Sequence, residues 1–530
     1  MRYRINQIKL GLDQGEDQLL EKLVGKLGKY AAGAAPQNLA IAKESVDARD
    51  KENIQLVYTL DFDLDRKLPE KVMKRLNITL WKDESYKPSE PLADAKPLEG
   101  RPVVVGFGPC GMFAALILAQ QGYRPIVLER GASMEERTAQ VREFWEGGRL
   151  LADSNVQFGE GGAGTFSDGK LTTQIKDSRI KKVLSEFVEA GAPAEILYRN
   201  KPHIGTDLLR EVVVNIRNKI IEKGGEIRFN TRFTGLDIEN GRLKAVHAAQ
   251  VGAEKETREH CTGEHQVIET QALILALGHS ARDTFKVLYE AGIPMSQKPF
   301  SMGLRIQHPQ ALIDRAQYGK SYERLGAADY KLSHRCSCGR GVYTFCMCPG
   351  GEIICASSEE GGLVVNGMSY HRRDSGYANS ALLVDVKTQD FGSEHPLAGV
   401  EFQRKYEALA FENAGGKYQP PACSLGDFMD DTPEGKKVSG SIPDFAADCI
   451  KEALPHLGRK LKGFDSRDAV LKAVESRSSS PVRMERNHDF ESPVQGIYPA
   501  GEGAGYAGGI TSAAVDGIRV AEKIISKYRI

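Results

Sequence analysis

The chain has 530 residues, and its 71 Lys and Arg residues are balanced by 71 Asp and Glu residues, so the formal net charge is zero. No long block of like charge stands out, and the sequence therefore does not favour binding to nucleic acid or to an anionic membrane. The longest apolar run, residues 110–119, is too short to cross a bilayer, and the first residues lack the apolar core of a signal peptide. Nine cysteines without a secretion signal indicate reduced thiols, so we expect a cytoplasmic globular protein.

Residues 1–90 are predicted to form a small α+β domain. Residues 3–10 alternate between apolar and polar side chains as in a strand, and residues 16–27 carry apolar side chains at helical spacing. Two further stretches, residues 39–46 and 54–64, have the pattern of strands. This part of the chain is therefore expected to have a core of its own.

A dinucleotide-binding unit is predicted over residues 103–131. Three valines form a strand that leads into a Gly-x-Gly-x-x-Gly turn and an apolar helix, and a second strand ends on an acid. The glycines allow a tight turn and close approach of the backbone to a pyrophosphate, the helix N-terminus attracts the phosphates, and the acid can bond ribose hydroxyls. We expect the acid to contribute little to the core. The predicted cofactor contacts are Gly106, Gly108, Pro109, Cys110, Gly111, Glu129 and Arg130.

A second glycine cluster, residues 159–170, follows the first unit. Glycine-rich turns let the backbone pack against a flat ligand, and in many flavoproteins a loop at this distance lines the isoalloxazine ring. The predicted flavin contacts are Gly161, Gly162, Gly164 and Thr165, with Lys170 as a candidate for stabilising the reduced ring. Phe233 is expected at the edge of the adenine, and Gly278 where a later buried strand meets the cofactor.

The last strand and helix indicate FAD rather than NAD. FAD is long and needs a second anchor, and an acidic, glycine-rich turn lies close to the C-terminus. Its carboxylate can bond ribityl or ribose hydroxyls, and the N-terminus of the following helix can point its dipole at the flavin pyrimidine. The predicted contacts are Gly501, Glu502, Gly508, Gly509 and Ile510.

The alternation of strands and helices weakens over residues 297–470, which we interpret as an α+β cap or substrate domain inserted into the dinucleotide-binding fold. The FAD-binding domain is then expected in two parts, residues 97–296 and 471–530. The predicted fold class is α/β, with a Rossmann-like FAD-binding domain, the inserted cap and the small N-terminal domain.

Two C-x-C pairs, Cys336/Cys338 and Cys346/Cys348, fall in the cap region. Alternate residues of a strand share one face, so Cys346 and Cys348 are expected to point the same way, and the turn at residues 339–341 could bring the pairs face to face. Three interpretations of these cysteines remain open: a redox or nucleophilic role beside the flavin, a zinc site of four thiolates, and buried inert thiols. We predict no metal site and take Cys346 and Cys348 as catalytic candidates.

Arg305 and Arg477 are candidates for binding an anionic group of the substrate, because a guanidinium binds a carboxylate in a bidentate fork. An ordinary salt bridge explains each of them equally well. Arg477 is the stronger candidate for anion binding, because three serines follow it directly before the last strand.

Several motifs resemble a bacterial and plastid family of FAD-dependent dehydrogenases of unknown substrate, within the glutathione-reductase-like FAD superfamily. The motifs are FGEGGAGTFSDGKLTT (residues 158–173), FCMCPGG (345–351), ESRSSSPVR (475–483) and PAGEGAGYAGGI (499–510). The resemblance spans nearly the whole chain. It implies a glutathione-reductase-type FAD-binding domain, bound FAD and oxidoreductase activity, and it implies no particular substrate.

We predict an FAD-dependent oxidoreductase that transfers a hydride between a small-molecule substrate and non-covalently bound FAD. The sequence has no C-x-x-x-x-C after the first motif and no second dinucleotide-binding unit with the full strand, glycine turn, helix and acid-ended strand of residues 103–131, which disfavours a disulfide reductase and tight NAD(P)H binding. Electrons would come from the substrate, a transient NAD(P)H or a redox partner. Two alternatives remain: a flavin-dependent RNA-modifying enzyme with a nucleophilic cysteine, which the neutral charge opposes, and a non-catalytic FAD-binding scaffold or sensor.

Overall fold

The N-terminal region folds around an antiparallel sheet. A computed structural model describes residues 1–32, 35–251 and 265–530. The first elements are β1 (Arg2–Gly11), α1 (Leu19–Leu27), β2 (Gln37–Asp47), β3 (Gln55–Asp63), α2 (Glu70–Leu76) and β4 (Ile78–Leu80). The strands pair in the order β2-β3-β1-β4, and Leu19, Leu23 and Leu27 of α1 are buried in the core that covers this sheet. The strands and the helix predicted here are confirmed.

The following region alternates between strands and helices. Its elements are β5 (Lys96–Pro97), β6 (Val103–Val105), α3 (Pro109–Gln120), β7 (Ile126–Leu128), α4 (Met134–Trp145), α5 (Arg179–Glu189), α6 (Thr206–Glu222), β8 (Glu226–Arg228), β9 (Thr231–Glu239), β10 (Arg242–Gln250), β11 (His265–Glu269), β12 (Leu273–Leu275) and α7 (Arg282–Glu290). Strands β9, β10 and β11 form a separate antiparallel sheet.

Residues 295–475 are built on a larger antiparallel sheet. The elements are β13 (Met295–Gln297), β14 (Phe300–Pro309), α8 (Gln310–Tyr318), β15 (Ser333–Arg335), β16 (Gly341–Cys348), β17 (Gly351–Cys355), β18 (Val365–Ser369), β19 (Tyr377–Val386), α9 (Ala398–Asn413), β20 (Ala422–Ser424), α10 (Leu425–Met429), α11 (Pro433–Ser439), α12 (Asp444–Lys460) and β21 (Val470–Glu475). Six of these strands pair in the order β15-β16-β19-β14-β21-β20, and one hydrophobic core joins the sheet to helices that include α12.

The chain closes by returning to the earlier strands. The last elements are β22 (Val482–Met484), β23 (Ile497–Pro499), α13 (Ile510–Lys527) and β24 (Tyr528–Arg529). Strand β22 pairs with β13, so the segments that lead into and out of the six-stranded region lie next to each other. Strand β24 pairs with β5, so the last residues of the chain lie next to the segment that leads into β6.

The central sheet is parallel and has the order β8-β7-β6-β12-β23. Strands β6, β7, β12 and β23 are apolar and buried, as expected for parallel strands that are covered on both faces. Helices that include α3 and α13 cover one face, and β9, β10 and α7 cover the other. The order corresponds to 3-2-1-4-5 of a doubly wound dinucleotide-binding sheet, with the topological switch between β6 and β12. Ligands bind outside the carboxyl ends of the strands at such a switch point, which is where the first glycine turn lies.

Helices α3 and α13 pack closely against each other beside this sheet. A Cβ at Gly517 would lie 2.1 Å from the carbonyl oxygen of Cys110, so a larger residue at this position would separate the helices. Throughout the described ranges, no helix has both the length and the apolar character needed to cross a membrane.

Candidate active site

A cavity of about 1330 Å³ lies at the carboxyl edge of the central sheet. It is bordered by both glycine clusters, by the start of α13 and by β16 of the six-stranded region. The predicted site residues that border it are Gly106, Gly108, Pro109, Cys110, Glu129, Arg130, Gly162, Gly164, Lys170, Phe233, Gly278, Cys346, Cys348, Arg477, Glu502, Gly508, Gly509 and Ile510. The volume exceeds the roughly 300–1,000 Å³ that is typical of pockets for drug-sized ligands, so a long cofactor and a small substrate can share it.

The other predicted site residues do not border this cavity. They are Gly111, Gly161, Thr165, Gly501 and Arg305. A Cβ at Gly111 would lie 1.9 Å from the carbonyl oxygen of Gly106, so this glycine lets α3 start directly behind the turn. The N–H of Gly161 donates to the carbonyl of Phe107 at 2.9 Å and ties the second glycine cluster to the first turn.

Glu129 joins three backbone segments beside the cavity. Its side chain is buried, and its carboxylate accepts hydrogen bonds from the N–H groups of Phe107 (2.8 Å), Gly131 (2.9 Å) and Gly159 (3.0 Å). Because a carboxylate offers about four acceptor positions, one position remains for a ribose hydroxyl. The expectation that this acid contributes little to the core is wrong, since it connects the two glycine clusters.

The second glycine cluster packs directly on the first turn. A Cβ at Gly162 would lie 2.9 Å from the Cα of Gly108, so only glycine allows this approach. Arg137, which is fully buried, fixes the cluster by donating hydrogen bonds to three backbone carbonyls of residues 155–160. Burial lowers the pKa of Arg137 to about 9. Sequence reasoning missed this arginine, because an arginine in a polar helix pattern gives no sign of burial.

Two helix N-termini border the same cavity. Helix α3 begins at Pro109 and α13 begins at Ile510, and both residues lie on the cavity wall. A helix N-terminus offers unpaired N–H groups and the positive end of the helix dipole. The arrangement suits a ligand with a pyrophosphate and a second electron-rich group.

Asp516 shapes the turn that precedes α13. Its carboxylate accepts the N–H of Gly501 at 2.8 Å and pairs with Arg486 at 2.8 Å. The Arg486 guanidinium lies 3.6 Å from the centre of the Tyr506 ring, a cation–π contact that holds the turn from the other side. Arg486 and Asp516 could not be selected from the sequence, because they lie outside the glycine motif of residues 499–510.

His279 presents an unpaired nitrogen at the cavity. Its Nδ1 lies 3.6 Å from the Glu502 carboxylate, and its buried Nε2 has no hydrogen-bond partner within the described residues. The adjacent Gly278 is open, since a Cβ there would meet no atom within 4 Å. Buried polar atoms normally have partners, so this nitrogen fits a ligand with hydrogen-bonding heteroatoms. Together with the glycine walls and the two helix N-termini, it makes the cavity suitable for FAD.

A β-bulge in β16 turns Cys346 towards the cavity. The pairing of β16 with β19 shifts between Phe345 and Cys348, and Cys346 has a φ of +40°, in the left-handed region. The Cys346 side chain is exposed to the cavity, whereas Cys348 is buried. The predicted equivalence of the two thiols is wrong, because the bulge breaks the period of two. Protein surrounds this part of the cavity, and burial raises the pKa of the Cys346 thiol to about 12 against the opposing charges of Lys170 and Arg305.

Arg305 holds this bulge and does not face the cavity. It is fully buried, and its guanidinium donates to Asn379 (2.8 Å), to Glu475 (3.0 Å) and to the carbonyl oxygen of Cys346 (2.6 Å). Burial raises the pKa of the Glu475 carboxyl, and the charge of Arg305 opposes this rise. The predicted binding of a substrate anion by Arg305 is therefore wrong, and the residue positions Cys346.

Arg477 borders the cavity, but its charge is already balanced. Glu407 lies 2.8 Å from Arg477 and 2.7 Å from Arg282, and all three side chains are buried. Arg477 also donates to the hydroxyls of Ser280 and Ser358. This cluster joins α7, α9 and the segment after β21, so we correct the predicted anion-binding role of Arg477 to a structural one.

The other cysteine pair lies away from the cavity. Cys336 and Cys338 occupy the turn between β15 and β16, and the sulfur of Cys338 lies 3.4 Å from the sulfur of Cys449 in α12. The two C-x-C pairs thus lie at opposite ends of β16, and the prediction that they could meet is wrong.

Comparison with known proteins adds a family context to this geometry. Residues 299–478 match a family model described as an FAD-dependent protein, C-terminal domain-like, and residues 2–63 match a domain of unknown function. The chain is 45% identical to an uncharacterized protein of Clostridium beijerinckii over 551 residues, which cover 100% of this chain and 99% of that protein. The family description names FAD and the cavity fits it, so the predicted cofactor is confirmed.

Two solved structures are remotely similar to this chain. The THI4 protein of Thermovibrio ammonificans is 20% identical with a TM-score of 0.25, and the match covers 38% of this chain and 66% of that chain. Glycerol-3-phosphate dehydrogenase from Bacillus halodurans, complexed with FAD, is 11% identical with a TM-score of 0.36, and the match covers 80% of this chain and 64% of that chain. Similarity at this level does not assign an activity.

Proposed function

The chain belongs to the same family as the Clostridium beijerinckii protein, and from this premise we propose that it is an FAD-dependent oxidoreductase that transfers a hydride between FAD and a small-molecule substrate. One observation carries the proposal: a single cavity connects the glycine turns of a dinucleotide-binding sheet with Cys346 in the region that matches the FAD-dependent family model. The strand order and the C-terminal helix support a place in the glutathione-reductase-like FAD superfamily.

The first glycine turn and Glu129 would hold the adenosine half of the cofactor. The backbone of Gly108 and the N-terminus of α3 can accept the pyrophosphate, because they combine close approach with unpaired N–H groups. The remaining acceptor position of Glu129 suits a ribose hydroxyl, and Phe233 lies on the cavity wall where an adenine edge can pack.

The second glycine cluster and α13 would hold the flavin half. Bound FAD would supply the two-electron acceptor for hydride transfer. The N-terminus of α13 would stabilise negative charge on the reduced ring. Glu502 and His279 border the same part of the wall and can bond hydroxyl groups of the ribityl chain.

The substrate would lie against residues of the six-stranded region, which we propose covers the flavin as a cap. With a pKa of about 12, the Cys346 thiol is protonated at neutral pH and can donate a hydrogen bond to the substrate. A protonated thiol is a poor nucleophile, which argues against attack on an RNA base. Lys170 borders the cavity and can balance an anionic group of the substrate.

We expect the purified protein to show a flavin spectrum that bleaches when an electron donor is added without oxygen. NADH and then NADPH are the first donors to titrate, because a nicotinamide cofactor is one of the proposed electron sources. The chain lacks a second unit like residues 103–131, so such a donor would bind only transiently. Bleaching that reverses in air would support the oxidoreductase. A protein that stays colourless after reconstitution with FAD would contradict the proposal.

Alkylation of Cys346 by iodoacetamide tests both its pKa and its place in the cavity. Because only the thiolate reacts, the rate in flavin-free protein should still rise about tenfold per pH unit between about pH 8 and 10, where a thiol with an ordinary pKa of about 8.5 levels off. Bound FAD should slow the reaction by covering the cavity. Mass spectrometry of the peptide that contains Cys346, with Cys346→Ser as the blank, follows the reaction. A rate that levels off near pH 9 would show that the thiol is not shielded as the structure indicates.

A further inference from the structure

A cluster of sulfur and nitrogen ligands lies outside the flavin cavity, where the β15–β16 hairpin meets α12. The hairpin carries His334, Cys336 and Cys338 at alternate positions. Helix α12 contributes Cys449 and Glu452, which are three residues apart and therefore lie on one face of the helix. Two elements thus bring five ligand-type side chains to one place.

The distances within this cluster suit a metal ion. The sulfurs of Cys338 and Cys449 are 3.4 Å apart, and the sulfur of Cys336 lies 3.4 Å from the carbonyl oxygen of Cys449. The ligand atoms of His334, Cys336 and Glu452 all lie within 4.8 Å of one another. Zinc–sulfur bonds of about 2.3 Å in a tetrahedral site place two sulfurs about 3.8 Å apart, close to the 3.4 Å that separates the sulfurs of Cys338 and Cys449.

Glu452 of α12 holds the turn that carries the two hairpin cysteines. Its carboxylate accepts hydrogen bonds from the N–H and the hydroxyl of Ser337, at 2.7 and 2.9 Å. The same carboxylate lies 3.8 Å from Nε2 of His334. A carboxylate beside a metal-binding histidine commonly orients the imidazole ring from outside the ligand set.

We propose that Cys336, Cys338, Cys449 and His334 bind one zinc ion, with Glu452 holding the hairpin turn from outside the ligand set. Three cysteines and one histidine form one of the common donor sets of structural zinc. A disulfide between Cys338 and Cys449 would leave the nearby Cys336 and His334 without a role. The ion would tie the β15–β16 hairpin to α12, and through β16 it would steady the strand that carries Cys346.

The test uses the full-length protein with FAD bound, purified under reducing conditions, and compares Cys338→Ser with Cys346→Ser. Metal analysis should find about one zinc per chain in the parent and in Cys346→Ser, and less than about a tenth of this in Cys338→Ser. Replacement of zinc by Co²⁺ should give cobalt–thiolate absorption in the parent that Cys338→Ser lacks. Because Cys338 is exposed, the substitution should leave the fold intact, and retained flavin absorption verifies this.

Two results would overturn the proposal. One is a reduced parent protein that contains no zinc and gives no cobalt–thiolate signal. The other is equal zinc content in Cys338→Ser and the parent, which would place the ion elsewhere. Loss of zinc from Cys346→Ser but not from Cys338→Ser would assign the metal to the other C-x-C pair and would also contradict it.

Discussion

Glu129→Ala is expected to lower both the stability of the protein and its affinity for FAD. The substitution removes the acceptor of three buried N–H groups, those of Phe107, Gly131 and Gly159. Each buried donor without a partner costs about 1–3 kcal/mol, and water that enters the new space would recover part of this. We therefore expect the free energy of unfolding to fall by about 2–4 kcal/mol and FAD to bind at least about tenfold more weakly.

Urea denaturation of the flavin-free protein measures the first effect, and flavin retained during dialysis measures the second. Glu135→Ala is the matched control, because Glu135 is an exposed acid that pairs with Arg217 at 3.1 Å. The control should change neither quantity appreciably, as is usual for exposed ion pairs. If Glu129→Ala unfolds like the parent and retains FAD, this carboxylate does not join the two glycine clusters.

Glu407→Gln is expected to destabilise the protein by about 3–5 kcal/mol, because it leaves the buried Arg477 without a counter-ion and the buried Arg282 with Glu359 alone. Burial alone would raise the pKa of the Glu407 carboxyl, but Arg282 and Arg477 hold it well below its usual range. A carboxyl whose pKa is lower in the folded state stabilises the fold above its unfolded pKa, and this contribution is lost as the pH falls below about 4.3. The parent should therefore lose stability on acidification more steeply than the variant.

Thermal or urea unfolding at pH 7 and at about pH 3, well below the unfolded pKa of about 4.3, provides the measurement. Glu412→Gln, on the exposed side of the same helix α9, is the control and should behave like the parent. Equal stability of Glu407→Gln and the parent at pH 7 would mean that the charges of the two arginines are balanced by other groups.

The elements of the FAD-binding sheet could be predicted from the sequence because each has a local cause. The strand at Val103–Val105, the glycine turn and the helix starting at Ile510 follow from apolar runs and glycine positions, and the structure reproduces them. The position of the first glycine turn on the cavity wall could be predicted for the same reason. Local patterns sufficed because strand, turn and helix are neighbours in the chain.

The roles of the charged residues and the cysteines could not be predicted, because they depend on distant partners. Arg305 meets Glu475, which lies 170 positions away, and its burial cannot be read from the residues beside it. Cys338 meets Cys449, 111 positions away, through a helix that carries no C-x-C motif. The bulge at Cys346 likewise depends on the register of β19 and not on the alternation of its own strand.

The pairing of β13 with β22 has a consequence for protein engineering. Because Met295 and Met484 face each other in this ladder, the six-stranded region begins and ends at one point, and a short linker could replace it without stretching the remaining chain. The remaining part of the chain would then be a minimal flavin carrier on which other substrate modules could be grafted. Such a graft must also replace Arg282, since its counter-ions Glu359 and Glu407 would leave with the excised module.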